Sequence, residues 1–219
     1  MLDALRRHYG TLKPPPARGA FELVVWEKVA YLAPDARRLA AFEQLRKTVG
    51  LTPQAIVSAK RSTIVDALTA GGIAPAERAT RLIAAAELVI GDFDGRLDDV
   101  CSRPLSDAKR ALKRIYGIAD PGAEKILLLT GNHRVLGVDS NGLRVLSRLG
   151  YGVQAKTYST TYKSATDAAL LELSAVPMAG LIEANLLLRH HGQTLCKTSN
   201  PKCGACVLRE VCPSARVSR

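Results

Sequence analysis

The sequence predicts an all-α protein. Apolar residues recur at three- and four-residue steps along almost the whole chain, and alternating apolar and polar runs bounded by turn residues, the mark of hairpins, are hard to find. An apolar content of 47% over 219 residues is ample for burial.

The elements follow in order. A short first helix runs into Lys13-Pro14-Pro15-Pro16, a stiff extended connector. A helix over 22–32 follows, and Val24, Val25 and Val29 mark it as mostly buried. Helices over 36–48, 53–58 and 61–70 lead to the Gly71-Gly72 loop. Residues 77–90 put Leu82, Ala85, Ala86 and Val89 on one stripe with the arginines elsewhere, an amphipathic helix that gives way to the loop Gly91-Asp92-Phe93-Asp94-Gly95. Further helices are predicted over 106–115, 121–130, 140–148, 163–173 and 178–190. There is no repeat and no low-complexity tract.

Charge narrows the partners. Thirty-one Lys and Arg against 20 Asp and Glu give a formal charge of +11, which favours a polyanion, either nucleic acid or an anionic membrane surface. No segment has the length and apolarity of a membrane span, and Met1-Leu2-Asp3-Ala4-Leu5-Arg6-Arg7 has no apolar run before a cleavage site, so a protein of the cytoplasm is expected.

Four of the five cysteines, Cys196, Cys203, Cys206 and Cys212, have the spacing C-x6-C-x2-C-x5-C. That brings four thiolates into one short loop, a metal-site pattern in a reducing compartment rather than a disulfide set. Tetrahedral zinc and a [4Fe-4S] cluster both suit four cysteines. Zinc knuckles usually pair two C-x2-C units, and here only Cys203 and Cys206 form one, so spacing favours the cluster and leaves zinc and unligated thiols as alternatives. Cys101 is expected to be a buried small hydrophobe.

Between two helical stretches lies Ile115-Tyr116-Gly117-Ile118-Ala119-Asp120-Pro121-Gly122-Ala123. Gly117 permits a tight turn, Asp120 is a good N-cap, and Pro121 suits a first helical position, where its missing N–H costs nothing. Such a helix-hairpin-helix can hold a phosphate at its free amides. An ordinary connection in a bundle fits the same residues.

Several segments together resemble the endonuclease III family of DNA repair glycosylases. They are His191-Gly192-Gln193-Thr194-Leu195-Cys196 with Pro201-Lys202-Cys203-Gly204-Ala205-Cys206 and Cys212, the hairpin Gly117 to Ala123, Gly137-Val138-Asp139-Ser140-Asn141-Gly142-Leu143-Arg144-Val145, and Phe21-Glu22-Leu23. Ala119 stands where the family usually has glycine. The resemblance implies a six-helix barrel domain over 21–132, with the helix-hairpin-helix at about 106–130, and an iron-sulfur domain made of 1–20 and 133–219. It implies a [4Fe-4S] cluster on Cys196, Cys203, Cys206 and Cys212, and backbone contacts to DNA from Gly117, Ile118, Ala119, Gly122, Lys197 and Lys202. The partner is double-stranded DNA with a damaged or mismatched base or an abasic site, bound by a monomer.

The resemblance also assigns chemistry. Cleaving an N-glycosidic bond needs a negative group beside the sugar and a proton for the leaving base. Asp139 aligns with the family's essential aspartate, although a plain N-cap fits it too. Glu27 falls where MutY-type adenine glycosylases and thymine-mismatch glycosylases carry a catalytic glutamate; a surface glutamate is the alternative. Members that also cleave the strand use a hairpin lysine whose matching position here is Pro121, which has no amine. A monofunctional glycosylase is therefore expected. Lys125, one turn further on, is the alternative nucleophile for an abasic-site lyase, and a non-catalytic protein that binds abasic or distorted DNA is the third reading. Tyr31 and Leu32 occupy the region where the family inserts side chains into the duplex, and core packing is the alternative for each. Trp26 is expected in the core, and His190 and His191 in structural hydrogen bonds.

Overall fold

The computed structural model describes residues 1–31 and 33–217. Among these, every regular element is helical, apart from one isolated bridge where Tyr31 meets Gly72. Among the described residues no helix is long and apolar enough to cross a membrane. The chain divides into two compact bodies, Pro15–Ala119 and a second made of Met1–Pro14 with Asp120–Arg219.

The first body carries α2 (Ala20–Lys28), α3 (Asp35–Thr48), α4 (Pro53–Ser58), α5 (Arg61–Leu68), α6 (Pro75–Phe93), α7 (Leu97–Cys101) and α8 (Leu105–Leu112). Local chemistry sets several ends. Thr52 caps α4 by accepting from the Ala55 amide at 3.1 Å, and Pro53 presets the first turn. Pro75 opens α6, which ends where Asp94 turns left-handed. The predicted stripe of α6 is buried, as are Val24, Val25, Phe42, Ile56 and Ile64. Trp26, expected in the core, is only partly buried and meets the Phe42 ring edge to face at 5.3 Å. Cys101 is fully buried, and burial pushes its thiol up to about 12, with Asp98 adding to the effect.

Two expectations fail here. The arginines of α6 do not all lie away from its buried face, because Arg78 is only 5% exposed. Its guanidinium donates to the carbonyls of Val29, Leu68, Gly72 and Ile73 at 2.5 to 3.0 Å. Those acceptors include helix-end carbonyls that have no donor within their own helix. Helix α2 stops at Lys28 rather than at residue 32, because the Tyr31 amide turns to the Gly71 carbonyl at 3.0 Å instead of reaching four residues back, and Arg38 takes the Trp26 carbonyl at 2.7 Å. The short α7 was not foreseen either; Asp98 in it accepts from the Ala20 amide at 2.9 Å and so braces the start of α2.

The second body carries α1 (Leu2–Tyr9), α9 (Asp120–Leu129), α10 (Ser140–Arg148), α11 (Tyr158–Glu172), α12 (Met178–Thr194) and α13 (Pro213–Val217). Helix α12 is its spine, packed against α1, α9 and α10. Leu143, Val145 and Leu146 of α10 are buried, as are Leu181, Ala184, Leu187 and Leu188 of α12. At roughly 1.5–3 kcal/mol for each large apolar side chain removed from water, these faces hold α10 against α12. The division at 119/120 places α9 with this body because it packs on α12, whereas the expected boundary lies at 132/133. Helix α11 starts at Tyr158 rather than at 163, since the Thr157 hydroxyl caps it by accepting from the Thr160 amide at 3.2 Å.

Candidate functional site

The cysteine loop follows α12 directly. Cys196, Cys203, Cys206 and Cys212 line a single cavity of about 120 Å³ whose other walls include Val145, Leu149, His191, Leu195, Pro201 and Leu208. Burial raises the Cys206 thiol, and so does its nearness to Cys196, Cys212 and Cys203, while the Leu208 amide opposes the shift. Four mutually repelling thiolates facing one small, mostly apolar space suit a positively charged core, which would remove that repulsion. Among the described residues no group of three His, Cys, Asp or Glu is drawn together tightly enough to hold a metal ion. The shared cavity has room for several atoms, so the four cysteines present are compatible with a cluster core.

The loop is held from outside by two guanidinium groups of α10. Arg144 donates to the Cys196 and Gly192 carbonyls at 2.8 and 2.7 Å. Arg148 donates to the Lys197 and Thr198 carbonyls at 2.7 and 3.2 Å and lies 3.4 Å from Cys196 Sγ. Lys197 and Lys202 are both exposed. His191 is buried, its Nδ1 2.9 Å from the Tyr9 hydroxyl and its Nε2 3.5 Å from Cys206 Sγ. Burial lowers its pKa to about 4, with repulsion from His8 and His190 adding to the shift. The expected structural hydrogen bonding of His191 is thus present.

Asp139 sits at the other end of α10. Its Oδ1 accepts from the Asn141 and Gly142 amides at 2.9 and 3.0 Å, an N-cap. Its Oδ2 accepts from Arg189 Nε at 3.1 Å and from Asn141 Nδ2 at 3.3 Å. The segment before it is pinned to α9. A Cβ on Gly137 would fall 2.1 Å from the Lys125 backbone nitrogen, so only glycine fits, and Asn185 donates to the Gly137 carbonyl at 2.7 Å. Tyr162, on α11, donates to Glu124 Oε2 of α9 at 2.7 Å. Tyr158, stacked on Tyr162, is close enough to Asp139 that the carboxylate adds to the upward pKa shift burial causes. Sequence reasoning missed Arg189 and Tyr158. Neither lies in a recognisable motif, and both meet Asp139 only through the packing of α11 and α12 beside α10.

In the first body, Glu27 lines a pocket of about 340 Å³ with Lys28, Tyr31, Arg78, Arg81, Tyr116 and Gly117. Lys28 Nζ donates to the Tyr116 carbonyl at 2.5 Å. Burial, then repulsion from Arg81, lowers the Lys28 amine to about 8, against a smaller opposing pull from Glu27. Sequence reasoning passed over Lys28 because it occupies an otherwise apolar helix position with no motif around it.

The hairpin turns at Gly117, whose φ of 79° lies in the left-handed region. The Ile118 amide is committed to the Ile115 carbonyl at 3.0 Å and its side chain is buried. Helix α9 starts at Asp120, one position before the expected Pro121, with Ala119 exposed and Gly122 partly exposed. Lys125 is partly exposed on α9. Tyr31 is 56% exposed; Leu32 lies outside the described residues.

No family model matches the chain. It is 30% identical over 196 residues to endonuclease III of Sulfolobus acidocaldarius, covering 89% of this chain and 82% of that one. It is 28% identical over 206 residues to the chloroplastic endonuclease III homolog 2 of Arabidopsis thaliana, spanning 92% of this chain but half of that protein. Among solved structures, a trapped endonuclease III–DNA covalent intermediate superposes with a TM-score of 0.76 at 16% identity, covering 99% of this chain and 94% of that one. A thermostable thymine-DNA glycosylase gives 0.71 at 19% identity, with 99% and 95% covered. These two structures carry the fold, and the Sulfolobus relative carries the family: the chain belongs to the endonuclease III family of helix-hairpin-helix DNA repair glycosylases.

Proposed function

We propose that this chain is a monofunctional base-excision-repair DNA glycosylase, which extrudes a damaged or mismatched base and hydrolyses its N-glycosidic bond with water. The observation that carries the reading is the Asp139 carboxylate, held by two backbone amides and Arg189 in a family member whose hairpin carries Pro121 in place of an amine. As the bond to the base breaks, positive charge grows on the sugar. A fixed carboxylate stabilises that charge without reorganising. The two amides and the Arg189 guanidinium fix the position of the carboxylate, which this role needs. Glu27, lining its pocket beside Lys28, supplies the proton for the departing base. Water then takes the place an amine occupies in strand-cleaving enzymes.

DNA is gripped by its backbone in this reading. The α9 N-terminus, with Gly117, Ala119 and Gly122, takes one phosphate, and Lys197 and Lys202 take others. Cys196, Cys203, Cys206 and Cys212 would hold a [4Fe-4S] cluster, which fixes the shape of the loop that bears both lysines. Tyr31 is the described residue proposed to enter the duplex space.

An unbiased screen of oligonucleotides with different lesions and mismatches tests the reading. Base release by the wild type and its loss in Asp139→Asn, with DNA binding retained, is the expected result. A borohydride-trapped adduct that Lys125→Ala removes would replace it with the lyase reading. Tight binding to an abasic analogue without release of any base would replace it with the binding module.

A further inference from the structure

The cysteine cavity has a hydrogen-bonding wall that the cluster reading alone does not use. His191 is 1% exposed and both of its ring nitrogens face polar partners, Tyr9 on one side and Cys206 Sγ on the other. The Thr194 hydroxyl donates to the His190 carbonyl at 2.8 Å, so it has no proton left for Tyr9. The single Tyr9 proton can go to His191 Nδ1 at 2.9 Å or to Thr194 Oγ1 at 3.1 Å. A thiolate ligand decides between them. It can only accept, and an imidazole protonated solely on Nδ1 would turn the Nε2 lone pair toward the sulfur. The arrangement that satisfies every atom of the chain from Tyr9 to Cys206 has Tyr9 donating to Nδ1 and Nε2–H donating to Cys206 Sγ.

We propose that Tyr9 and His191 form a relay that places an N–H on Cys206 Sγ and so raises the reduction potential of the iron-sulfur centre. The proposal rests on the cluster reading. Cys206 Sγ also receives the Leu208 amide at 3.4 Å, and Cys196 Sγ has Arg148 Nη1 at 3.4 Å, so two of the four ligands carry N–H groups. Each such bond stabilises the more negative, reduced cluster more than the oxidised one. His191 and Tyr9 are therefore positioning residues: they act on the centre through a ligand sulfur, and Tyr9 acts through His191.

The test is the midpoint potential of the DNA-free holoprotein, measured by protein-film voltammetry after anaerobic purification and iron and sulfide analysis. His191→Leu should shift the midpoint to more negative potential at full cluster content. Tyr9→Phe should shift it in the same direction by less, because the ring loses only its tautomer control. His191→Gln, which restores an N–H, should recover part of the shift. Midpoints equal to wild type in His191→Leu and Tyr9→Phe, with clusters intact, would overturn the relay. If His191→Leu fails to hold a cluster, the Tyr9→Phe and His191→Gln midpoints decide on the same terms. A wild type without iron and sulfide would overturn the cluster reading and the relay with it, whereas unshifted variants would overturn the relay alone.

Discussion

Arginines close the structure of both bodies, but they close different things. In the first body the single guanidinium of Arg78 fills a buried position and satisfies four main-chain carbonyls where helix ends meet. In the second, Arg144 and Arg148 reach three carbonyls of the irregular segment after α12, those of Cys196, Lys197 and Thr198, and that of Gly192 within α12, while the cysteines of that segment line one cavity. The first arrangement is complete as a protein interior. The second leaves four thiols around one cavity, which the proposed cluster would fill. Carbonyls that need a donor can find one in the chain; thiolates that need a cation must take it from outside.

The contrast can be broken most forcefully at Arg78. Arg78→Met keeps the volume of the stem and leaves the carbonyls of Val29, Leu68, Gly72 and Ile73 without their donor. At about 1–3 kcal/mol for a buried unsatisfied group, partly relieved by entering water, a stability loss of roughly 3–5 kcal/mol is expected in denaturant titration. A loss below about 1 kcal/mol would mean that those carbonyls do not depend on the guanidinium.

Cys203→Ala comes next. It should remove bound iron and speed amide exchange over residues 196–212, while protection in α2 to α8 stays as in the wild type. Equal loosening in both bodies would erase the distinction between a self-sufficient interior and a metal-dependent loop. Asp139→Ala, at the far end of the helix that carries Arg144 and Arg148, should cost about 1 kcal/mol through the lost N-cap, beyond any effect on base release. Equal thermal stability of Asp139→Ala and Asp139→Asn would show that the cap contributes nothing specific.

Smaller effects test the loop's outward face. Lys197→Ala and Lys202→Ala should each lower the salt dependence of DNA affinity by about one unit or less, since each removes at most one phosphate contact. A slope unchanged in the double variant would remove the loop from the DNA interface. The smallest expected effect is at Arg6, which donates to Glu183 at 2.9 and 2.6 Å and ties α1 to α12. That bond pulls the Glu183 carboxyl below its ordinary 4.5, so its stabilisation is present above the unfolded pKa and is lost as pH falls through the folded one. The melting temperatures of Arg6→Ala and wild type should therefore differ slightly at neutral pH and converge in acid; a difference that persists at low pH would argue against the ion pair.

What the sequence could determine was whatever its neighbours in the chain decide. Apolar periodicity is a local signal and located most helices; the cysteine spacing, the turn at Gly117 and the capping position of Asp139 are all written within a few residues of where they act. What only the tertiary structure decided involves partners far apart in the chain. A lone arginine on a helix reads as a surface residue, and nothing near Arg78 announces that distant carbonyls will converge on it. Arg189 beside Asp139 and Tyr9 beside His191 are the same case, since each pair is made by helices that meet after folding. Even α2 ended by this rule. Its sequence could continue the helix, but the carbonyl that takes the Tyr31 amide belongs to Gly71, far along the chain, and a long-range hydrogen bond outweighs the modest local preference for one more turn.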